Sequence, residues 1–295
     1  MSGAIGFVGL GQMGMPMLAN LAAKGRTIRA FDLSEPARVS AAALDNVQVA
    51  GTILELARET DVLILMLPDS TVVDRLLWNE GVADALRPGS LIVDMGSSHP
   101  MNTRANARRL AALGVGLVDA PVSGGVKRAV SATLSIMIGG ETADVEKVRS
   151  ILSDLGATLV HVGASGSGHA IKALNNFVSA SGMAATCEAL AAAERFGIDP
   201  SIANQVFNSS TGKNNTTENK VEAFMLNGRF DSGFAMSLMC KDLRTARSLM
   251  QAIDAKHAFA DCCTRLWEAA ESALPRGADH TALYRYVGRD AANDD

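Results

Sequence analysis

Over roughly its first half the chain alternates short apolar runs with longer amphipathic stretches, as expected of parallel strands joined by covering helices. Seven runs predict strands: AIGFVGL (4–10), TIRAFDL (27–33), VLILML (62–67), SLIVDM (90–95), GLVDA (116–120), TLSIMIG (133–139) and ATLVHVG (157–163), with a short one at 47–49. Their near-continuous hydrophobicity predicts strands buried on both faces. Helical periodicity places helices at 12–24, 36–44, 101–113 and 143–155 between them. After GASGSG (163–168) the strand pattern stops. Residues 169–196 are helix formers interrupted by Gly182 and closed by Gly197 and Pro200, which predicts one long helix. Further helices are expected at 201–208, 218–227, 237–255 and 257–274, and the polar tail RDAANDD (289–295) is expected to fray. The pattern therefore predicts an α/β domain over 1–164, then a long interdomain helix that opens an all-α domain over 165–295.

The first strand runs into GFVGLGQMG, where Gly9, Gly11 and Gly14 have the GxGxxG spacing directly before a helix. Gly9 allows a tight turn, Gly11 lets the backbone approach a pyrophosphate, and Gly14 permits close helix packing. The N–H groups of the turn, which includes Gln12 and Met13, and the positive end of the helix then meet the phosphate charge. This predicts a Rossmann-like, dinucleotide-binding fold for the first domain. The second strand ends at Asp32, eighteen residues beyond Gly14, where an acid bonds the adenosine ribose. Asp32 would repel a 2′-phosphate, and the next residue is Leu33 rather than arginine, so NAD is favoured over NADP. Arg38 is near enough in sequence to soften that preference.

Composition removes several other readings. The 295 residues are 48% hydrophobic and 20% charged, with 27 Lys+Arg against 31 Asp+Glu and a net charge of -4. A folded, soluble protein without general attraction to nucleic acid or anionic membranes follows. Aromatics at 4% are too few for base-stacking platforms. The uncharged stretch 1–23 lacks a basic leader, and its glycines and Pro16 are wrong for a spanning helix, so a cytoplasmic location is expected. Cys187, Cys240, Cys262 and Cys263 show no CxxC pair and are expected as reduced, buried thiols. The five histidines show no metal-ligand spacing, so no metal is expected.

Four segments, GFVGLGQMGMPM, DAPVSGG, GHAIKALNN and MCKDLRTA, resemble the β-hydroxyacid dehydrogenase family in the family's own order from residue 6 to residue 246. The resemblance implies NAD(P)-dependent oxidation of a small hydroxyacid by a dimeric enzyme. It assigns Lys172 and Asn176 as the catalytic lysine and its partner. At i, i+4 on a helix the two share one face. Lys172 also lies within about two turns of a helix start near 166–167, where the dipole disfavours an ammonium. Ser123, Gly124 and Gly125 match the substrate-carboxylate loop, and Leu67, Pro68 and Ser97 match cofactor contacts at two strand ends. Phe234 matches a residue lining the nicotinamide, and Lys241, with Asp242, a pair facing cofactor or active site. Two departures stand out. Val72 occupies a position where relatives carry asparagine, and Ala132 one where they carry glycine.

The resemblance implies 3-hydroxyisobutyrate as the default substrate. The polar run 209–220 (SSTGKNNTTENK) raises an alternative, in which Lys213, Asn214, Asn215 and Thr216 favour a polar acid of the threonate, glycerate or tartronate semialdehyde type. A redox-inert NAD-binding scaffold is the other alternative, and the retained Lys172 and Asn176 argue against it. His169 is taken as a loop or cap residue. The Ala-rich long helix and the helical domain offer more apolar faces than one copy can bury, so a homodimer or homotetramer is expected.

Overall fold

The computed structural model describes residues 4–288, so the expected frayed tail at 289–295 lies outside them. The chain divides into two compact units, the first ending at Lys172 and the second beginning at Ala173.

The first unit opens with β1 (Ile5–Val8), α1 (Gly14–Ala23), β2 (Ile28–Phe31), α2 (Glu35–Ala42), β3 (Val47–Val49), α3 (Ile53–Glu59) and β4 (Val62–Leu65). It continues through α4 (Ser70–Asp74), a π-helical turn at Arg75–Asn79, α5 (Val82–Ala85), β5 (Leu91–Asp94), α6 (Pro100–Ala111) and β6 (Gly116–Asp119). The last elements are β7 (Val122–Ser123), α7 (Gly125–Val130), β8 (Leu134–Gly139), α8 (Thr142–Ser153) and β9 (Gly156–Gly163). Strands β3-β2-β1-β4-β5-β6 form a parallel run in that order, and the Rossmann-like half-sheet is as the motif predicted.

Alternation along the strands sends side chains to two cores. Phe7 and Ile64 join Met17, Leu18 and Leu21 of α1 on one face. Val8, Leu63 and Leu65 join Leu56 of α3 and Leu110 of α6 on the other. The parallel expectation fails at one edge. There β8 runs antiparallel to β6 and to the two-residue β7, and β9 is parallel to β8. An antiparallel return needs only a short connection, which the compact turn through β7 and α7 supplies. The expectation of burial on both faces also fails for β9, whose residues are mostly exposed or half-buried, as an edge strand permits.

The long helix, α9 (Ser167–Phe196), has 30 residues; it begins in the first unit and runs into the second. The second unit continues with α10 (Pro200–Ser209), α11 (Asn215–Asn219), a π-helical turn at Val221–Met225, α12 (Met236–Ala252), α13 (Ala258–Ala273), a 3-10 turn at His280–Ala282 and α14 (Leu283–Val287). Among the described residues its β pairing is an isolated bridge between Ala235 and Asp279. Ala180, Met183, Cys187 and Leu190 give α9 a buried stripe at helical spacing. The stripe packs with Met239 and Leu243 of α12 and Trp267 of α13. All four cysteines are free, but Cys262 is exposed, contrary to the expected burial. Burial pushes the thiols of Cys187 and Cys240 up to about 12, which makes them inert.

Candidate active site

The glycine turn has the geometry its spacing demands. Gly9 adopts a φ of 97°, and a Cβ there would run into the Met66 carbonyl. A Cβ on Gly14 would run into the carbonyl of Gly9, so both must lack side chains. At Gly11 nothing lies within 4 Å of the Cβ position, which leaves the backbone open to a ligand. Met13, at the start of α1, offers no side-chain cap to the helix N–H groups. Gln12 is exposed and Met13 half-buried. The Asp32 carboxylate stands against this turn and accepts from Leu10 N at 2.6 Å and Ser34 N at 2.7 Å. Arg38 folds back on the same loop and donates to the carbonyls of Asp32 and Leu33. A dinucleotide thus fits on three counts: open backbone at Gly11, an uncapped helix start, and an acid fixed beside the turn.

Two more strand ends converge there. Leu67 and Pro68 follow β4, and the Leu67 side chain lies 3.3 Å from the Gly9 Cβ position. A Cβ on Gly96, next to Ser97, would collide with the Leu67 carbonyl, so the loops after β4 and β5 are pressed together. Asp94, at the end of β5, accepts from Gly96 N at 3.0 Å and from the Ser98 hydroxyl at 2.7 Å. Ser97 itself is half-buried. The next helix, α6, is capped by His99, whose Nδ1 accepts from Met101 N at 3.2 Å; burial holds the pKa of His99 below its ordinary value. Val72, the departure from the family pattern, lies inside α4, where Asp69 accepts from its N–H as the cap.

The substrate-loop residues lie at the mixed edge. Ser123 pairs with Ser135 across β7 and β8, and Gly124 and Gly125 follow with φ of 127° and 65°. Lys172 Nζ donates to the Val122 carbonyl at 2.8 Å, which brings the predicted catalytic lysine to the edge of this loop. The start of α9 is fixed by Asp119 at the end of β6, whose carboxylate accepts from Gly166 N at 2.7 Å and His169 N at 2.9 Å. Ala132 takes a left-handed φ of 54°, a conformation that favours glycine.

His169 needs correction. It is neither a loop nor a cap residue: it lies within α9, 1% exposed, with Nδ1 2.8 Å from Thr103 Oγ1. Its partners come from α6, β5 and β6, which no local pattern reveals.

In the second unit Asn176 is buried and its amide donates to Asp242 at 2.5 Å, while Asn175 is exposed. Asp242 lies 3.7 Å from Lys241 Nζ on α12. The Phe234 ring meets His280 edge-on at 5.4 Å, and Asp279 accepts from the N–H groups of Gly233 and Phe234. The polar run 209–220 is largely occupied with itself. Lys213 pairs with Glu218 at 2.9 Å, and Asn214 forms a capping box with Thr217 and also donates to Thr186. Thr216 is buried and Asn215 exposed.

Residues 4–163 match the NAD binding domain of 6-phosphogluconate dehydrogenase, and residues 166–287 match the NAD-binding domain of NADP-dependent 3-hydroxyisobutyrate dehydrogenase. The 2-(hydroxymethyl)glutarate dehydrogenase of Eubacterium barkeri is 40% identical over 82% of this chain and 80% of its own. The 2-hydroxy-3-oxopropionate reductase of Escherichia coli K12 is 33% identical over 95% of each. The 3-hydroxyisobutyrate dehydrogenase of Mycobacterium tuberculosis, solved with L-serine, superposes with a TM-score of 0.90 at 32% identity, covering 98% of this chain and 100% of that one. With two domain models matched in order and relatives similar over nearly the whole length, the chain belongs to the β-hydroxyacid dehydrogenase family of NAD(P)-binding oxidoreductases.

Proposed function

We propose that the protein is an NAD-preferring dehydrogenase that interconverts a small β-hydroxyacid and its semialdehyde, with Lys172 carrying the proton. The observation that carries this reading is the bond from Lys172 Nζ to the Val122 carbonyl, which sets the amine at the edge of Ser123, Gly124 and Gly125. Lys172 takes the hydroxyl proton as general base in oxidation and returns it as general acid in reduction. The bound nicotinamide supplies the hydride chemistry. The Ser123 hydroxyl and the adjoining backbone N–H groups hold the substrate carboxylate, and Gly124 and Gly125 let it come close. Asn176, its amide fixed by Asp242, orients the substrate. Gly9, Gly11, Gln12, Met13 and Gly14 hold the pyrophosphate and Asp32 the adenosine ribose; Leu67, Pro68 and Ser97 complete the first unit's cofactor contacts, and the family resemblance adds Phe234 and Lys241. Replacing Lys172 with alanine is expected to lower kcat by at least ~10²-fold with cofactor affinity little changed. A near-normal kcat would refute the assignment.

The names of the relatives share one chemistry, a primary alcohol or its aldehyde on the carbon next to the one bearing a carboxylate. Oxidation then converts the CH2OH group to CHO, with two electrons and one proton leaving as hydride and a second proton passing to Lys172. A 3-hydroxyisobutyrate-type acid is the leading substrate. The local duties of Lys213, Asn214 and Thr216 leave fewer donors for the hydroxylated tail of a threonate- or glycerate-type acid. Side-by-side kcat/KM values for 3-hydroxyisobutyrate, glycerate, threonate and 2-(hydroxymethyl)glutarate decide between them.

Preference for NAD rests on the carboxylate of Asp32 and the exposed Leu33 beside it. Changing Asp32 to glycine together with Leu33 to arginine is expected to narrow the kcat/KM ratio of NAD to NADP; a wild-type preference for NADP would refute it. The apolar side chains of Val178, Phe196 and Phe259, 63–84% exposed in the second unit, support assembly into a dimer or tetramer, which sedimentation tests. The free thiols fit a reducing cytoplasm.

A further inference from the structure

His169 stands three residues, just under one turn, ahead of Lys172, and polar groups of α6, β5 and β6 lie beside its ring. The Thr103 hydroxyl donates to the His99 carbonyl at 3.2 Å, so its oxygen accepts and His169 Nδ1 is the donor at 2.8 Å. Nε2 has no hydrogen-bond partner among the described residues and points at Asp94 Oδ2 across 3.8 Å. Nδ1 lies 3.8 Å from Asp119 Oδ2, whose carboxylate also caps the helix that carries the ring. The side chains of His169, Asp94 and Asp119 are 0–3% exposed. The backbone leaves little slack around them, because a Cβ on Gly168 would press on the Asp119 carbonyl at 2.8 Å.

A leucine would fill this space without burying two ring nitrogens. What the imidazole adds is direction: a hydrogen bond to Thr103 of α6, with a carboxylate 3.8 Å from each ring nitrogen. Asp94 leads into the segment holding Ser97, and Asp119 leads into the loop holding Ser123. We propose that His169 is a positioning residue for the hydroxyacid reaction. Through Thr103 it ties the start of α9 to α6, beside the ends of β5 and β6, and so registers Lys172 against the cofactor segment and the substrate loop. The proposal rests on Lys172 being the proton carrier. A misplacement of about 1 Å at a reacting group can slow a step by ~10²-fold, so small shifts of this helix start matter.

The test compares His169→Leu, His169→Asn and Lys172→Ala in the full-length protein. The substrate is the acid that the wild type turns over fastest among 3-hydroxyisobutyrate, glycerate and 2-(hydroxymethyl)glutarate. Single-turnover hydride transfer is measured per cofactor-binding site, so a loss of folded protein does not register. His169→Leu is expected to slow transfer by about 10- to 100-fold with KM within about 3-fold of wild type. His169→Asn, whose amide can replace the Nδ1 donor, is expected to recover most of that loss. A wild-type rate in His169→Leu, or an asparagine variant no faster than the leucine one, overturns the proposal. If His169→Leu does not fold, Thr103→Val keeps the ring and deletes its acceptor, and an unchanged rate there overturns it equally. A normal rate in Lys172→Ala condemns the proton-carrier reading; a slow Lys172→Ala beside a normal His169→Leu condemns only the positioning role.

Discussion

Each unit buries a histidine beside an aspartate that accepts backbone N–H groups, yet the second corner also sets an ammonium against its ring. In the first unit His169 faces the carboxylates of Asp94 and Asp119. In the second, His280 Nδ1 lies 2.9 Å from the Phe234 carbonyl and its Nε2 lies 2.7 Å from the Lys220 ammonium. Burial, and then the Lys220 charge, push His280 down to about 4, while burial takes Lys220 down to about 8. Burial of Asp279 favours its neutral form, but bonds from Thr281 and Ser232 and the neighbouring His280 outweigh it, so its carboxyl stays below the ordinary value. A buried histidine is therefore not one kind of object.

The largest expected effect is at the aspartates. Asp119→Ala would leave the buried N–H groups of Gly166 and His169 unpaired, a loss of about 3 kcal/mol read from urea unfolding. Gly233 is exposed and Phe234 half-buried, so water can replace part of what Asp279 accepts, and Asp279→Ala is expected to cost about half as much. Equal losses would break the distinction between the corners.

Next comes pH. The unfolded chain protonates His280 below its ordinary 6.5, whereas the folded protein resists until about 4. The unfolded state therefore binds more protons in that window, and stability falls as pH drops from about 6.5 to 4, by on the order of 2–3 kcal/mol from this group. Lys220→Met removes the second cause and keeps the first, so thermal melts should show a shallower fall that does not vanish. An identical fall in the variant would mean that Lys220 does not govern the ring.

The smallest effect concerns backbone strain. The Phe234 loop uses glycine at its positive φ, Gly233 at 89°, whereas the turn before β8 uses Ala132 at 54°. Ala132→Gly is expected to stabilise by about 1 kcal/mol and Gly233→Ala to destabilise by at least that, since an L side chain costs roughly 1–2 kcal/mol in this region. Loss of stability in Ala132→Gly would show that the turn is not strained.

What could be read in the sequence was what short stretches of chain enforce. The glycine turn, Asp32, most strands and the long helix follow from spacing, apolar runs and breakers, because turn sterics and periodic burial act over a few residues. The family motifs carried Lys172 to the loop holding Ser123, and the structure brings the two segments together. Other features depended on partners far along the chain. The antiparallel return of β8 needs β6 and β7, and an apolar strand carries no mark of its neighbour's direction. His169 looks like any helix-start residue until Thr103, Asp94 and Asp119, each 50 or more positions away, close around it. Asn176 meets Asp242 across 66 positions. Local chemistry thus determined the elements and the residue types of the site. Only tertiary structure decided which polar groups are buried together, because the electrostatics of a side chain belong to whatever surrounds it once water has gone.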